Sequence, residues 1–465
     1  MLPESLYKWG LWFFYTKTVR ISASTDVLFC SLHELCLDGK SVEMINWQYA
    51  RIYHETRIKM KTDWKKNTSR FLFSQAISLF GSSLVQYAIM WYITLNTQSG
   101  VMMMVSIICG ILPTFFLSPF AGVWADRYSR KNLIVIADAG IAVATLGLAV
   151  IFMLGYRDIW LLFAVSAIRA LGTGVQTPAV GAFLPQIVPE DKLTRVNGIN
   201  NSLQSAITLV SPMVSGVLMS IAAIEVIFFI DVLTAALAIA VMLWLVQVPP
   251  HQKALQKQET GYFEDFSTGL SYIRQHRFVL QFFIYAAVFF FLVTPAAFLT
   301  PLQVARSFGD QVWRLTAIEI AFSGGMVLGG VLIAAWGGFK NRAYTMTAAA
   351  FAIGICTVAL GVVPVFWLYL FFMALTGLAI PVFSTPAMVM LQEKVEEDMM
   401  GRVFGVYGMI SSSVMPLGML LFGPLSDSVA IEWLLLITGV LVLVQSAFLL
   451  FSRTLREAGL PARTG

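Results

Sequence analysis

The feature that most constrains the fold is a long internal repeat, set among apolar segments of membrane length. Residues 190–198 and 397–405 share five identities, each separated by 207 positions. The matched pairs are Glu190 and Glu397, Asp191 and Asp398, Arg195 and Arg402, Val196 and Val403, and Gly198 and Gly405. Gly122 and Gly329 keep the same offset. Solenoid repeats have far shorter periods, so this spacing indicates two homologous halves, an arrangement typical of membrane transport proteins.

The apolar segments place the chain in lipid. Hydrophobic residues make up 58% of the 465 positions and charged residues 12%, which leaves too little polar surface for a soluble fold. Backbone groups in hydrocarbon must bond to one another, and runs of about 20 residues are too long for barrel strands, so these runs are helices. We predict an all-α membrane protein with twelve transmembrane helices in two six-helix halves. The predicted spans are 70–95, 101–125, 132–154, 159–180, 197–222, 225–247, 278–303, 313–337, 343–361, 364–390, 403–426 and 430–452.

These spans divide the chain into five parts. They are an extension at 1–59, an N-terminal half at 60–247, a linker at 248–277, a C-terminal half at 278–452 and a tail at 453–465. The first part has neither a clean apolar span nor a signal-cleavage pattern, whereas Met60 is followed by Lys61, Lys65 and Lys66 and then by the first span. We interpret residues 1–59 as a dispensable extension or a misassigned start.

Basic residues alternate between loops and thereby predict the orientation. One side collects most of the lysine and arginine residues, and the other side has only Arg157, Arg306 and Arg314. By the positive-inside rule, both termini, the linker and both repeated loops face the cytoplasm. The formal charge of +5 therefore reflects topology and contact with anionic lipid rather than nucleic-acid binding.

Two ionisable residues lie deep inside predicted spans. Arg169 lies about ten residues into the fourth span, or roughly 15 Å, near the middle of the bilayer. Such a charge indicates function or a structural ion pair, for which Asp138 in the third span is a candidate partner. Glu319 lies in the eighth span among apolar residues, where desolvation would penalise its charged form. It is the residue we expect to couple transport to protons or to balance a cationic cargo, and Asp231 lies at similar depth in the sixth span.

Uncharged polar residues in two spans are candidates for a cavity lining. Gln86 belongs to the first span, and Asn200, Asn201 and Gln204 belong to the fifth. Each could equally bond to a neighbouring helix. These residues alone do not decide between a cavity lining and hydrogen bonding to a neighbouring helix.

Three motifs resemble those of the major facilitator superfamily. Between the second and third spans, Gly122 is followed by Asp126, Arg127, Arg130 and Lys131, as in the signature loop of that superfamily, with Ser129 where glycine is usual. Arg169-Ala-Leu-Gly172-Thr-Gly174 resembles its intramembrane arginine motif. Ser211-Pro212-Met-Val-Ser215-Gly216 resembles a degenerate form of its exporter motif Gly-Pro-x-x-Gly-Gly, in which Pro212 and Gly216 remain.

The resemblance implies roles for these residues. Gly122 would permit close helix approach while Asp126 pairs with basic residues, latching the cytoplasmic face, and ordinary topogenic charge is the alternative. The charged residues of the repeated loops are assigned to the same gate, namely Asp191, Arg195, Asp398 and Arg402. Pro212 and Gly216 would let the halves bend and approach closely, although simple small-residue packing explains them as well. In the fold of this superfamily the sixth helix lies outside the cavity, which favours a scaffold role for Asp231.

Within the superfamily, the chain resembles bacterial macrolide-efflux-like drug:proton antiporters. The start at residues 60–66, the segment Gly81 to Gln86 and the stretch from Ile318 to Gly329 provide this narrower likeness. It implies export of amphiphilic, macrolide-like drugs by proton antiport and alternating access, driven by the proton motive force without a cofactor. Lysophospholipid or siderophore transport on the same fold is one alternative, and a non-transporting receptor or scaffold is another.

Enzyme chemistry finds no support in the sequence. The four histidines fall outside the predicted spans, and HExxH, GxSxG and GxxxxGK[S/T] patterns do not occur. We expect neither an enzyme nor a metal site. The expected partners are an amphiphilic small molecule, protons and the lipid bilayer, with no nucleic acid, and we expect a monomer.

Overall fold

The structure is a computed structural model that describes residues 40–247 and 270–460, with side chains described from Trp64 onward. The side chains of Pro119, Asp126, Glu190, Glu397 and Asp398 lie outside the described set. Contacts divide the chain into two units, Met1–Asp63 and Trp64–Gly465. In the first unit the described residues, 40–63, are helical, and everything below concerns the second unit. The predictions for residues 1–39, for residues 248–269 and for the last five residues of the tail, 461–465, lie outside the described residues.

Among the described residues, twelve helices are long and apolar enough to cross a membrane, which confirms the predicted fold class. The helices are α1 (Lys40–Thr97), α2 (Gly100–Arg127), α3 (Arg130–Met153), α4 (Ile159–Ile187), α5 (Leu193–Ile221), α6 (Ile224–Trp244), α7 (Arg277–Phe298), α8 (Val312–Trp336), α9 (Arg342–Val362), α10 (Phe366–Lys394), α11 (Glu397–Ser428) and α12 (Ile431–Phe451). The membrane-length part of α1 is Trp64–Thr97, and a short helix, Thr300–Ser307, extends α7. A last short helix, α13 (Arg453–Ala458), follows α12.

Helix ends follow ordinary capping chemistry. Ser99 begins α2 by accepting a hydrogen bond from the Met102 amide, and Asn341 begins α9 by accepting one from the Ala343 amide. Gly337, with φ of 74°, ends α8 in the left-handed conformation that glycine adopts at little cost.

The packing repeats with a shift of six helices, as the duplicated sequence predicts. The helices α2 and α4 are in contact, and so are α8 and α10; α3 contacts α4 and α6 just as α9 contacts α10 and α12. Contacts of α2 with α11 and of α5 with α8 join the halves, and a shift of six helices converts each of these pairs into the other. The two halves are therefore related by an approximate two-fold arrangement.

We name the two ends of the bundle by their loops. The basic face contains the loops that follow α2, α4, α6, α8 and α10, and the far face contains those that follow α1, α3, α5, α7, α9 and α11. Near the far face one buried apolar cluster takes residues from both halves, with Trp91 and Met103 packed with Leu315 and Phe422. The three other clusters each stay within one half. The described apolar core thus closes the bundle between the halves near the far face.

Candidate functional site

A buried ion pair joins four helices of the N-terminal half. Arg169 on α4 is 9% exposed, and its Nη1 donates to Asp231 Oδ2 on α6 at 2.5 Å. The same group donates to Thr145 Oγ1 on α3, and Nη2 donates to the Ser82 carbonyl on α1 at 3.1 Å. Thr145 and Ser82 in turn donate to the two carboxylate oxygens of Asp231. Arg169 and Asp231 thus bond to one another and to Thr145 and Ser82. The ion pair is therefore part of a polar network inside the helix bundle.

The partner of Arg169 is Asp231 rather than Asp138. Asp138 Oδ1 accepts from Ser78 at 3.0 Å and from Gln176 at 2.6 Å, and its Oδ2 is buried without a hydrogen-bond partner among the described residues. Its carboxyl lies close enough to Asp231 for the two charges to interact. The sequence offered Asp138 only as a candidate partner, and the packing of α3, α4 and α6 places Asp231 opposite the guanidinium.

Two glycines set the spacing of this network. A Cβ added to Gly81 on α1 would lie 2.0 Å from Thr234 Oγ1 on α6, and one added to Gly172 would lie 2.5 Å from the Ile141 side chain on α3. Only glycine permits such approaches. The glycine that follows Arg169 in the motif therefore holds α4 against α3, where the arginine reaches its partners.

Glu319 lies in a different setting on α8. It is half-buried and makes no hydrogen bond or ion pair to any residue whose side chain is described. Ile318 beside it belongs to the apolar cluster that both halves share. The hydroxyl of Tyr87 on α1, in the other half, lies close enough to the Glu319 carboxylate for an electrostatic interaction. No sequence pattern distinguishes Tyr87 from the many other aromatic residues in the spans.

The contact between α5 and α8 lies one turn from Glu319. A Cβ at Gly216 on α5 would lie 1.8 Å from Thr316 Oγ1, so glycine is required for this approach. Pro212 is buried one turn earlier on α5, and Ser215 donates to the Leu84 carbonyl on α1 at 3.1 Å. The degenerate exporter motif thus occupies the place where α5 meets both α1 and the opposite half.

The predicted cavity residues lie on accessible surfaces. Gln86, Asn201 and Gln204 are exposed and Asn200 is half-buried. Their side chains make no hydrogen bond to the described residues, so none of the four is bonded to a neighbouring described helix. In a membrane span such side chains require water or a polar ligand.

At the basic face, the signature loop binds its own half. Arg130 donates to the carbonyls of Ala125 and Ala182 at 3.1 and 2.7 Å, and Lys131 donates to those of Leu243 and Val246. These carbonyls belong to α2, α4 and the end of α6, so the two cations join helix ends within the N-terminal half. Arg127 is exposed.

The expected helix approach at Gly122 does not occur in this conformation. A Cβ there would meet no atom within 4 Å, and the same holds for Gly198 on α5 and Gly405 on α11. The physical reason is that the halves meet near the far face, whereas these glycines lie toward the basic face. Gly329, the repeat partner of Gly122, does make a close contact, because its Cβ would lie 2.1 Å from the Leu378 carbonyl oxygen on α10.

The other gate residues are distributed as follows. Asp191 pairs with Lys192 at 2.9 Å, and both are exposed. Arg195 is exposed, and Arg402 donates to the Met399 sulfur at 3.4 Å. The side chains of Asp126 and Asp398 lie outside the described set, so their gate roles stay predictions.

The far face contains a polar cluster that the sequence did not reveal. Asp427 at the end of α11 accepts hydrogen bonds from the amides of Gly100 and Val101 at 2.7 and 3.0 Å and from the Ser99 hydroxyl. Arg306 bonds to Asp427 at 2.8 Å and also donates to the Gln98 carbonyl. We call Asp427, Arg306 and residues 98–101 the far-face clasp. It joins the halves, because a carboxylate of one half caps the N-terminus of α2 in the other.

Comparison with known proteins agrees with this geometry. The sequence profile of the Major Facilitator Superfamily matches residues 71–419. The chain belongs to the major facilitator superfamily. Membership makes it a membrane transporter rather than an enzyme, and the shared scaffold accounts for the six-helix repeat in its packing.

Related sequences and structures extend the comparison. The chain is 30% identical over 393 residues to "Macrolide efflux protein A" of Streptococcus pyogenes, covering 84% of this chain and 95% of that protein. It is 22% identical over 375 residues to "Multidrug efflux pump Tap" of Mycobacterium bovis, covering 78% and 87%. Among solved structures, a bacterial homologue of the lysosomal transporter Spinster in an inward-facing conformation has a TM-score of 0.61 at 15% identity, covering 84% and 99%. The nucleoside transporter NupG has a TM-score of 0.60 at 14% identity, covering 82% and 98%.

Proposed function

We propose that this transporter exports amphiphilic, positively charged drugs in exchange for protons, and that Glu319 is the group that alternately holds the proton and the cargo. The relatives named for macrolide efflux and multidrug efflux support the drug-export part. The position of Glu319 supports the coupling part. By the positive-inside rule the basic face is cytoplasmic, at an inner membrane with both termini inside.

The observation on which the proposal depends is that Glu319 has no hydrogen-bond or ion-pair partner among the described side chains. A carboxyl group among apolar side chains is stable when it is protonated or when a cation lies beside it. Binding of a drug cation and binding of a proton therefore compete for one group. Tyr87, from the other half, offers an aromatic face and a hydroxyl to the same cargo.

The arrangement of the halves supports alternating access. The shared apolar cluster and the far-face clasp close the far end, while Gly122, Gly198 and Gly405 have no close neighbours toward the basic face. This arrangement supports a carrier that admits cargo from the cytoplasm or inner leaflet. Release would require the contacts of α2 with α11 and of α5 with α8 to open.

The charge balance predicts the driving force. If one carboxyl exchanges one proton for a monovalent cation, no net charge crosses the membrane. Export would then respond to the pH gradient, at about tenfold accumulation per pH unit, and not to the membrane potential. Nigericin, which collapses the pH gradient, should stop export, and valinomycin with potassium should leave it nearly unchanged.

A drug-susceptibility panel in an efflux-deficient host tests the proposal. The wild-type protein should raise the inhibitory concentration of macrolides, and Glu319→Gln should remove that resistance while the protein remains in the membrane. Asp310→Asn is the matched control, because Asp310 is an exposed carboxyl on the loop before α8. Wild-type resistance in Glu319→Gln that remains sensitive to nigericin would refute the role of Glu319.

A further inference from the structure

A groove lies at the basic face between the first turns of the membrane-length part of α1 and the first turns of α5, apart from the contacts described above. It encloses about 610 Å³. The α1 wall consists of Trp64, Lys65, Thr68, Ser69, Leu72, Phe73 and Ala76, and the α5 wall consists of Lys192, Arg195, Val196, Ile199 and Leu203. Both sets follow the spacing of three and four residues that marks one face of a helix.

Both walls change from polar to apolar along the membrane normal. On α1, Lys65 lies near the basic face, and the stripe becomes apolar from Leu72 onward. On α5, Lys192 and Arg195 come first, and the stripe ends at Leu203. Residues 65–76 cover roughly 16 Å of helix, about the depth of a lipid headgroup and the upper part of its acyl chains.

The polar end of the groove is positively charged. Its described side chains include the cations Lys65, Lys192 and Arg195 and no carboxylate, although Lys192 is also paired outside the groove with Asp191. The N-terminus of α5 adds the positive end of its helix dipole at the same level. A cationic drug of the kind proposed for export would be repelled here, so the charge favours an anionic ligand.

Thr68 adds an unsatisfied donor to this wall. Its side chain is 4% exposed and its Oγ1 has no hydrogen-bond partner among the described residues. Other helical threonines in this chain, such as Thr94 and Thr316, donate to the carbonyl four residues earlier. An anionic oxygen at the polar end would give the Thr68 hydroxyl an acceptor after rotation about a single bond.

We propose that this groove binds an anionic phospholipid of the leaflet at the basic face. The phosphate lies among Lys65, Lys192 and Arg195, and an acyl chain lies along Leu72 and Leu203. Basic pockets between helices on the cytoplasmic side are known to suit such headgroups. The proposal depends on the groove and not on the transport chemistry assigned to Glu319.

Photolabelling tests the site. The full chain is reconstituted in phosphatidylcholine vesicles that contain phosphatidylglycerol with a diazirine in its acyl chain, and labelled peptides are identified by mass spectrometry. The expected labels fall within residues 72–76 and 199–203. Lys65→Ala combined with Lys192→Ala should lower labelling of both peptides by about tenfold or more, since each lysine near an anionic headgroup contributes about 1 kcal/mol.

Lys66→Ala is the matched control, because Lys66 is the next residue on α1, is exposed and does not line the groove. It should label like the wild type. Thr68→Val preserves the shape of the wall and should lower labelling by a factor of about three to ten, which keeps the test valid if the double variant does not fold. Equal labelling in all variants would overturn the site. Competition by millimolar inorganic phosphate as effective as that by unlabelled phosphatidylglycerol would overturn the lipid assignment.

Discussion

The charged groups inside the membrane spans have different surroundings in the two halves. In the N-terminal half, Arg169 and Asp231 satisfy one another and bond to Thr145 and Ser82. In the C-terminal half, Glu319 has no bonded partner among the described residues. A paired charge keeps its state and holds helices together, whereas an unpaired carboxyl changes state whenever a proton or cation arrives. Sequence duplication thus preserved the packing of the helices, whereas the ionisable groups inside the spans came to differ between the two halves.

The largest expected effect is the loss of the ion pair. Asp231→Leu leaves the Arg169 guanidinium buried without its carboxylate, and breaking such a pair typically costs about 3–5 kcal/mol. We expect a strong fall in the thermal midpoint of the purified protein and in its amount in the membrane. Arg169→Met combined with Asp231→Leu should recover most of that stability, and a double variant as unstable as the single one would show that the network is not the cause.

Removal of the unpaired carboxyl should have the opposite effect on stability. Glu319→Leu takes a desolvated ionisable group out of apolar surroundings, so the thermal midpoint should stay equal or rise, while drug export is lost. Stability and transport are measured on the same preparation. A stability loss as large as that of Asp231→Leu would mean that Glu319 has a structural partner, and the contrast between the halves would disappear.

Gly216→Ala tests the contact between the halves. The added methyl would lie 1.8 Å from Thr316 Oγ1, and overpacking of this kind costs about 1–3 kcal/mol. Because the two helices belong to different halves, we expect the transport rate to fall several-fold. Gly198→Ala on the same helix meets no atom within 4 Å and should transport normally. Recovery of the rate in Gly216→Ala combined with Thr316→Gly would confirm the contact, and a normal rate in Gly216→Ala alone would contradict it.

The smallest expected effect concerns the far-face clasp. Asp427→Ala removes the acceptor for the Gly100 and Val101 amides and the partner of Arg306, each bond contributing about 1 kcal/mol net at a partly exposed site. The far face should open more often. A single cysteine replacing Met104, in a chain from which Cys30, Cys36, Cys109 and Cys356 have been removed, should then react several-fold faster with an impermeant maleimide. An unchanged rate would show that the apolar cluster alone closes this end.

Much of this architecture could be predicted from sequence, because membrane spans are a local property. Twelve apolar runs and a repeat of 207 positions suffice for the helix count and the two halves. Arg169 and Glu319 were recognisable because a charge inside an apolar run is rare. The residues around them could not be recognised in the same way. Asp231 lies 62 residues from Arg169 along the chain, and Tyr87 belongs to the N-terminal half whereas Glu319 belongs to the C-terminal half. Only packing brings such residues together.

Other features escaped prediction for a different reason. Asp427 and Ser99 lie at the ends of spans, where polar residues are ordinary, so the clasp had no signal. The expected contact at Gly122 depends on which end of the bundle is closed. One sequence serves every conformation of the transport cycle, so it does not indicate which end is closed in this structure. The motifs therefore indicated residues expected to take part in the conformational change, but not the conformation in which each residue contacts a neighbouring helix.

The most direct test of the central claim is proton release in vesicles. The purified transporter is reconstituted with a pH-sensitive dye, and a monovalent cationic macrolide is added in the absence of a membrane potential. We expect the wild type to release one proton for each drug molecule bound, and Glu319→Gln, with its fold intact, to release none. Equal proton release by the two proteins would contradict the assignment of Glu319 as the shared site.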